Sequence, residues 1–143
     1  MDTERGWKER PVSKFLLDSD VIIWHLRGHD AVSNMLRELQ TMDLPACSSL
    51  SVIEVTSGMK KGEKKMTHSL FDSLHVLDVD RAVADKAAQL ILQLRGKGIG
   101  ADIPDAVIAA TCLMHNLILV TYNKKPYPFP ELTFHPCPPL STR

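Results

Sequence analysis

Cysteine is scarce in this 143-residue chain: Cys47, Cys112 and Cys137 are the three, scattered along its length. That is too few for a disulfide framework or a cysteine-rich metal site. The cytoplasm is the expected compartment. Long apolar runs are lacking as well. Nothing approaches the roughly 18 residues of a membrane span, so no membrane association is expected. The opening Met1-Asp2-Thr3-Glu4-Arg5 is polar and charged, and a secretory leader is not expected. Neither sign of charge is in excess, since 17 basic residues balance 17 acidic ones. A nucleic-acid binder often carries a basic excess. Such a role here would rest on a local basic patch, with the acids clustered elsewhere. There is no internal repeat and no low-complexity tract.

At this length the chain is expected to form one domain with a full core. We expect residues 1–13 to be a flexible lead-in, 14–136 the folded domain and 137–143 an irregular tail. Short apolar runs at residues 15–17, 45–47, 75–77 and 117–120 read as strands, the last as a central one, apolar on both faces. Residues 132–134 read as an edge strand. Helical spacing marks residues 30–42, where Ala31, Val32, Met35, Leu36, Leu39 and Met42 recur on one face. Further helices are expected from Ser19 or Asp20 to Arg27, from Ser51 to about Lys61, over 63–74, over 80–95 with Asp80 as cap, and over 102–115. Ser51 and Glu54 form a capping-box pattern. Strands alternating with helices give a single α/β/α sandwich with a mostly parallel sheet of four to five strands.

The most informative feature is the end of the first run, Phe15-Leu16-Leu17-Asp18-Ser19-Asp20. In open α/β sheets, ligands sit beyond the carboxyl ends of the strands. Glu54, Asp102 and Asp105 fall in the first turns of expected helices, and Asn123 follows the last strand. A parallel sheet brings strand carboxyl ends and helix amino ends to one rim. Carboxylates gathered there repel one another unless a divalent cation neutralises them. Their hard oxygens suit Mg2+ or Mn2+. Carboxylate-held ions of this kind serve phosphodiester hydrolysis.

Each residue also has a structural reading. Asp20 fits a helix cap better than a ligand. Asp102 fits a cap with Asp105 as its partner. Glu54 alone would complete the box with Ser51, and Asn123 alone would be a turn residue. It is the joint placement of Asp18, Glu54 and Asp105 that favours function. The run Lys60-Lys61-Gly62-Glu63-Lys64-Lys65 is ordinarily a solvated helix junction. In a nuclease, Lys60, Lys61, Lys64 and Lys65 would grip an RNA backbone.

Four segments resemble the motifs of PIN domains, and within them the VapC-type toxin ribonucleases. Leu16-Leu17-Asp18-Ser19-Asp20-Val21-Ile22-Ile23 is similar to the opening strand and first acid. Leu50-Ser51-Val52-Ile53-Glu54-Val55-Thr56-Ser57-Gly58 resembles the second motif, and Ile103-Pro104-Asp105-Ala106-Val107-Ile108-Ala109-Ala110-Thr111 the third. Leu117-Ile118-Leu119-Val120-Thr121-Tyr122-Asn123, with Tyr127 four residues on, resembles the last. The resemblance implies a metal-dependent endoribonuclease, commonly a homodimer, silenced by a cognate antitoxin that occupies the active-site groove. It implies that Asp18, Glu54 and Asp105 are catalytic residues and metal ligands, with Thr121 and Ser51 as polar support. Asn123 stands where many relatives have a fourth acid. Asp102 is outside the shared acids. Two alternatives stay open. Asp18-Ser19-Asp20 also fits the Asp-x-Asp nucleophile motif of haloacid-dehalogenase-like phosphatases, and a non-catalytic PIN-like binding module is the other.

Overall fold

In the computed structural model, which describes residues 13–140, four three-residue strands form one parallel sheet. They are β1 (Phe15–Leu17), β2 (Ala46–Ser48), β3 (His75–Leu77) and β4 (Ile118–Val120), in spatial order β3-β2-β1-β4. The β1–β4 register pairs Leu16 with Leu119, and the β1–β2 register pairs Leu16 with Ala46. Parallel strands need long crossovers, and here each crossover is a pair of helices. After β1 come α1 (Ser19–Leu26) and α2 (Asp30–Met42), and after β2 come α3 (Ser49–Ser57) and α4 (Lys64–Asp72). After β3 come α5 (Arg81–Gly96) and α6 (Ile103–His115).

Alternation along the strands builds two cores. Leu16, Ala46 and Leu119 point to the layer holding α5 and α6, with Val83, Leu90, Leu94 and Ile108. Phe15, Leu17, Cys47 and Val120 point the other way, against Val21 and Ile22 of α1, Leu36 and Leu39 of α2 and Phe71 of α4. Both faces of the sheet are covered, which explains its near-continuous apolar strands. The chain steps from β1 to β2 to β3 and then returns past β1 to β4 with its helices on the opposite layer. The strand order therefore reverses between β1 and β4. A crevice opens at such a reversal, at the carboxyl ends of the two strands.

Local signals account for most element ends. Asp80 caps α5, its Oδ1 accepting the Val83 N–H at 2.9 Å. Gly28, at φ +80°, takes the chain out of α1 in a conformation that favours glycine. Asn116 ends α6 in the left-handed region, at φ 55° and ψ 52°.

The structure corrects four expectations. The helix expected from Ser51 begins at Ser49, because Ser48 is the cap and its Oγ accepts the Leu50 N–H at 3.0 Å. Ser51 is then the third helical residue and fully buried, so it forms no capping box with Glu54. The cap of α1 is Asp18, not Ser19 or Asp20. Residues 132–134 form no strand. A single bridge joins Leu119 to Phe134, because Pro128, Pro130, Pro136 and Pro138 around it cannot donate to a ladder. Strand β4 is accordingly an edge strand of the four rather than central, and it is buried because helices cover both its faces and that bridge lies along its outer edge.

Of the expected lead-in, residues 1–12 lie outside the described residues, as do residues 141–143 of the tail. Ser13 is buried, with its Oγ 3.2 Å from His75 Nδ1. Cys137 and Leu140 pack against the core. Among the described residues, no helix is long and apolar enough to cross a membrane.

Leu119 has no exposed surface and lies at the centre of the β4 register. Leu119→Ala is expected to cost about 2–5 kcal/mol through the cavity it leaves. Urea unfolding measures this, and a loss under about 1 kcal/mol would mean that the β4 layer is packed otherwise.

Candidate active site

The β1–β4 ladder continues past the carboxyl end of β1: the Asp18 N–H donates to the Val120 carbonyl at 3.0 Å. This seats Asp18 at the mouth of the crevice. Its carboxylate is heavily engaged. Oδ1 accepts the Ser19 N–H at 2.8 Å. Oδ2 accepts the Thr121 hydroxyl at 2.9 Å and the Tyr127 hydroxyl at 2.7 Å. Thr121 and Tyr127 are both buried. Burial, and then the Asp18 charge, push the Tyr127 phenol far above its ordinary value, so it acts as a donor throughout the working range of pH.

Asp20 does a different job. It sits in the first turn of α1, and its Oδ2 accepts the Tyr122 N–H at 3.1 Å. This bond ties the segment after β4 to the start of α1. Burial, followed by the neighbouring Asp18 charge, raises the Asp20 carboxyl above its usual value, against the lowering effect of the Tyr122 bond.

A second node joins α1 to α3. Ser19 Oγ lies 2.7 Å from Glu54 Oε1 and 2.8 Å from Ser51 Oγ. A hydroxyl has one proton, and an ionised carboxylate can only accept. The Ser19 proton therefore goes to Glu54, and Ser51 can supply its own to Ser19. Glu54 itself is exposed on α3.

Asp105 completes the set from the first turn of α6, where Pro104 favours helix initiation. Burial comes first among the causes that raise the Asp105 carboxyl, followed by the charges of Asp18, Asp102 and Glu54. Four carboxylates, one at the end of β1, one from α3 and two from the start of α6, thus share one field. Asp102 occupies the cap position of α6 by backbone, yet its carboxylate makes no capping bond and is exposed. Its side chain is therefore not the cap that the sequence pattern suggests. Asn123 is exposed beside the rim, and its N–H donates to Thr121 Oγ1 at 3.1 Å.

Among the described residues, the one ion pair is Arg81–Asp85 on α5, so none of the rim acids has a basic partner there. The donors at the rim are hard carboxylate oxygens, which fit a divalent cation of the magnesium or manganese type. As the side chains stand, no three His, Cys, Asp or Glu groups among the described residues are gathered closely enough to enclose an ion. His25 and His29 have the spacing of a helical metal pair, but α1 ends at Leu26. His25 Nδ1 lies 2.7 Å from Ser33 Oγ, and the His29 ring meets Trp24 edge-on.

Lys60 and Lys61 follow the end of α3, Lys64 and Lys65 begin α4, and all four are exposed. Two polar groups of the site have no role in the sequence pattern. Ser19 stands between two acids and takes no part in the acidic set. Tyr127 enters the last motif as an aromatic, which assigns nothing to its hydroxyl.

The PIN domain family profile matches residues 15–133. This chain belongs to the PIN domain family. Its relatives there are VapC-type. Ribonuclease VapC10 of Mycobacterium tuberculosis is 31% identical over 116 residues, spanning 81% of this chain and 87% of the relative. Among solved structures, VapBC2 from Rickettsia felis bound to a DNA fragment from the promoter superposes with a TM-score of 0.75. It is 25% identical over 85% of this chain and 96% of that one. A toxin–antitoxin complex from Klebsiella pneumoniae superposes with a TM-score of 0.71 at 23% identity, over 82% and 93% of the two chains. The PIN domain fold expected from the sequence is the fold observed.

The rim charges set a pH dependence for the metal-free PIN domain. The Asp105 carboxyl is raised on folding, so between its unfolded and folded values the folded state binds more protons. Stability therefore falls as pH rises through that window. Asp105→Asn removes this penalty. In chelator at neutral pH, the variant is expected to melt above wild type, with the gap narrowing as pH falls into the ordinary carboxylate range. Thermal melts across pH check this, and a variant that melts below wild type at neutral pH contradicts it.

Proposed function

We propose that this PIN domain is a divalent-metal-dependent endoribonuclease and the toxin half of a toxin–antitoxin pair. One observation carries the reading: Asp18, Glu54 and Asp105, from three separate elements, share one electrostatic field at the β1/β4 crevice. The names of its VapC relatives and the toxin–antitoxin complexes that share its fold support the same conclusion.

In this reading Asp18, Glu54 and Asp105 hold Mg2+ or Mn2+. The bound ion supplies an activated water and charge stabilisation for phosphodiester hydrolysis. The chain's own groups prepare the site. Thr121 and Tyr127 fix Asp18, and Ser19 holds the carboxylate of Glu54. Ser51 backs Ser19. Asp102 adds negative charge at the edge. Asn123 contributes a neutral oxygen where an acid would add charge, which favours one tightly held ion over two. Lys60, Lys61, Lys64 and Lys65 take the RNA backbone leading to the rim. A cognate antitoxin covers the acidic groove, two copies of the chain form a dimer, and the pair works in the cytoplasm.

The phosphatase alternative fits less well. It needs Asp20 as a free acid or base, and Asp20 is committed to the Tyr122 N–H. The non-catalytic alternative draws on the neutral Asn123 and is decided by activity.

The purified chain is expected to cleave RNA with magnesium or manganese and to stop in chelator. Asp18→Ala and Asp105→Ala should each reduce cleavage to background, and full activity in either contradicts the assignment. Lys60→Ala with Lys61→Ala should weaken RNA binding, lowering the salt slope by about 0.7 for each phosphate that is no longer neutralised. An unchanged slope would place the RNA elsewhere.

A further inference from the structure

We infer that the Tyr127 hydroxyl is a positioning group for the metal site, holding Asp18 so that one oxygen, Oδ1, is presented to the ion. This rests on the metal-dependent reading above and goes beyond it, because it assigns a role to a residue outside the acidic set. The argument is a count of lone pairs. Each carboxylate oxygen accepts about two hydrogen bonds. Oδ2 of Asp18 receives two donors, Tyr127 at 2.7 Å and Thr121 at 2.9 Å, and is filled. Oδ1 receives one, the Ser19 N–H at 2.8 Å, and keeps a lone pair. Asp18 is therefore prepared to bind through a single oxygen, with its plane fixed by donors on both sides.

Tyr127 is well suited to hold that plane. Its ring is anchored in the core cluster that includes Leu119, Phe129 and Leu132, and it meets Phe134 at a centroid distance of 6.5 Å. The residue is 5% exposed, so its hydroxyl has little access to water and finds its partner in Asp18. A phenylalanine would fill nearly the same space and leave Oδ2 half-satisfied and Asp18 free to turn. If Tyr127 served packing alone, that exchange would leave metal binding untouched. Partners that orient a metal ligand from behind typically matter about 10- to 100-fold in affinity.

The test is calorimetric titration of Mn2+ into the full chain, stripped with chelator, for wild type, Tyr127→Phe and Asp18→Ala. Circular dichroism verifies that each variant is folded. Tyr127→Phe is expected to weaken Mn2+ binding by about 10- to 100-fold. Its RNA cleavage is expected to fall at low manganese and to recover as manganese is raised. Asp18→Ala is expected to bind no Mn2+ at the rim. Wild-type affinity in Tyr127→Phe, with binding lost in Asp18→Ala, overturns the positioning role and leaves the metal site standing. Wild-type affinity in both variants overturns the metal-site reading itself. A cleavage defect in Tyr127→Phe that manganese does not rescue would also overturn the positioning role.

Discussion

The constraint on which the site depends is that a carboxylate closes a buried parallel strand. Asp18 ends β1, caps α1, donates its N–H to β4 and receives three hydrogen bonds at its side chain. Donors from α1, from the residue after β4 and from the loop beyond it converge on this one group. Removing it would uncap a helix and release the hydroxyls of Thr121 and Tyr127 together. The fold around the crevice and the proposed chemistry within it therefore share one side chain: an accepting oxygen suffices for the cap, and the proposed cation site is what calls for a charge.

The same arrangement carries an energetic cost. The charges of Asp18, Asp102 and Glu54 raise the carboxyl of Asp105, and among the described residues no ion pair relieves them. Asp20 avoids part of this cost by accepting the Tyr122 N–H, and that bond makes it a strut between α1 and the segment after β4. The remaining repulsion is what a hard cation would remove. Natural proteins keep such locally unfavourable groups where function requires them. Tyr127 and Ser19 belong to the same design, as uncharged donors that steady acids without neutralising them.

Much of the fold is legible in the sequence because its signals are local. The helix at residues 30–42 and the strand at 75–77 have the bounds that their patterns predict, and Asp80 is the cap that its position suggests. The departures share a cause: several residues can fill one local role, and a distant contact makes the choice. Ser48, Ser49 and Ser51 can each begin a helix, and the burial of Ser51 against Ser19 leaves Ser48 as the cap. Asp18 and Asp20 can each cap α1, and the bond from Tyr122, 102 residues away, claims Asp20 for another purpose. Motif spacing marks three acids of the candidate site. It does not mark the Tyr127 hydroxyl, because that group's partner lies 109 residues away and an aromatic pattern says nothing of a hydroxyl.

The central claim is that Asp18, Glu54 and Asp105 form one cation site. The most direct measurement is an anomalous difference map from crystals grown with manganese. The account predicts a strong peak at the β1/β4 crevice, bounded by Asp18 Oδ1 and by oxygens of Glu54 and Asp105. A manganese ion bound away from Asp18, or an empty crevice at saturating manganese, would contradict it.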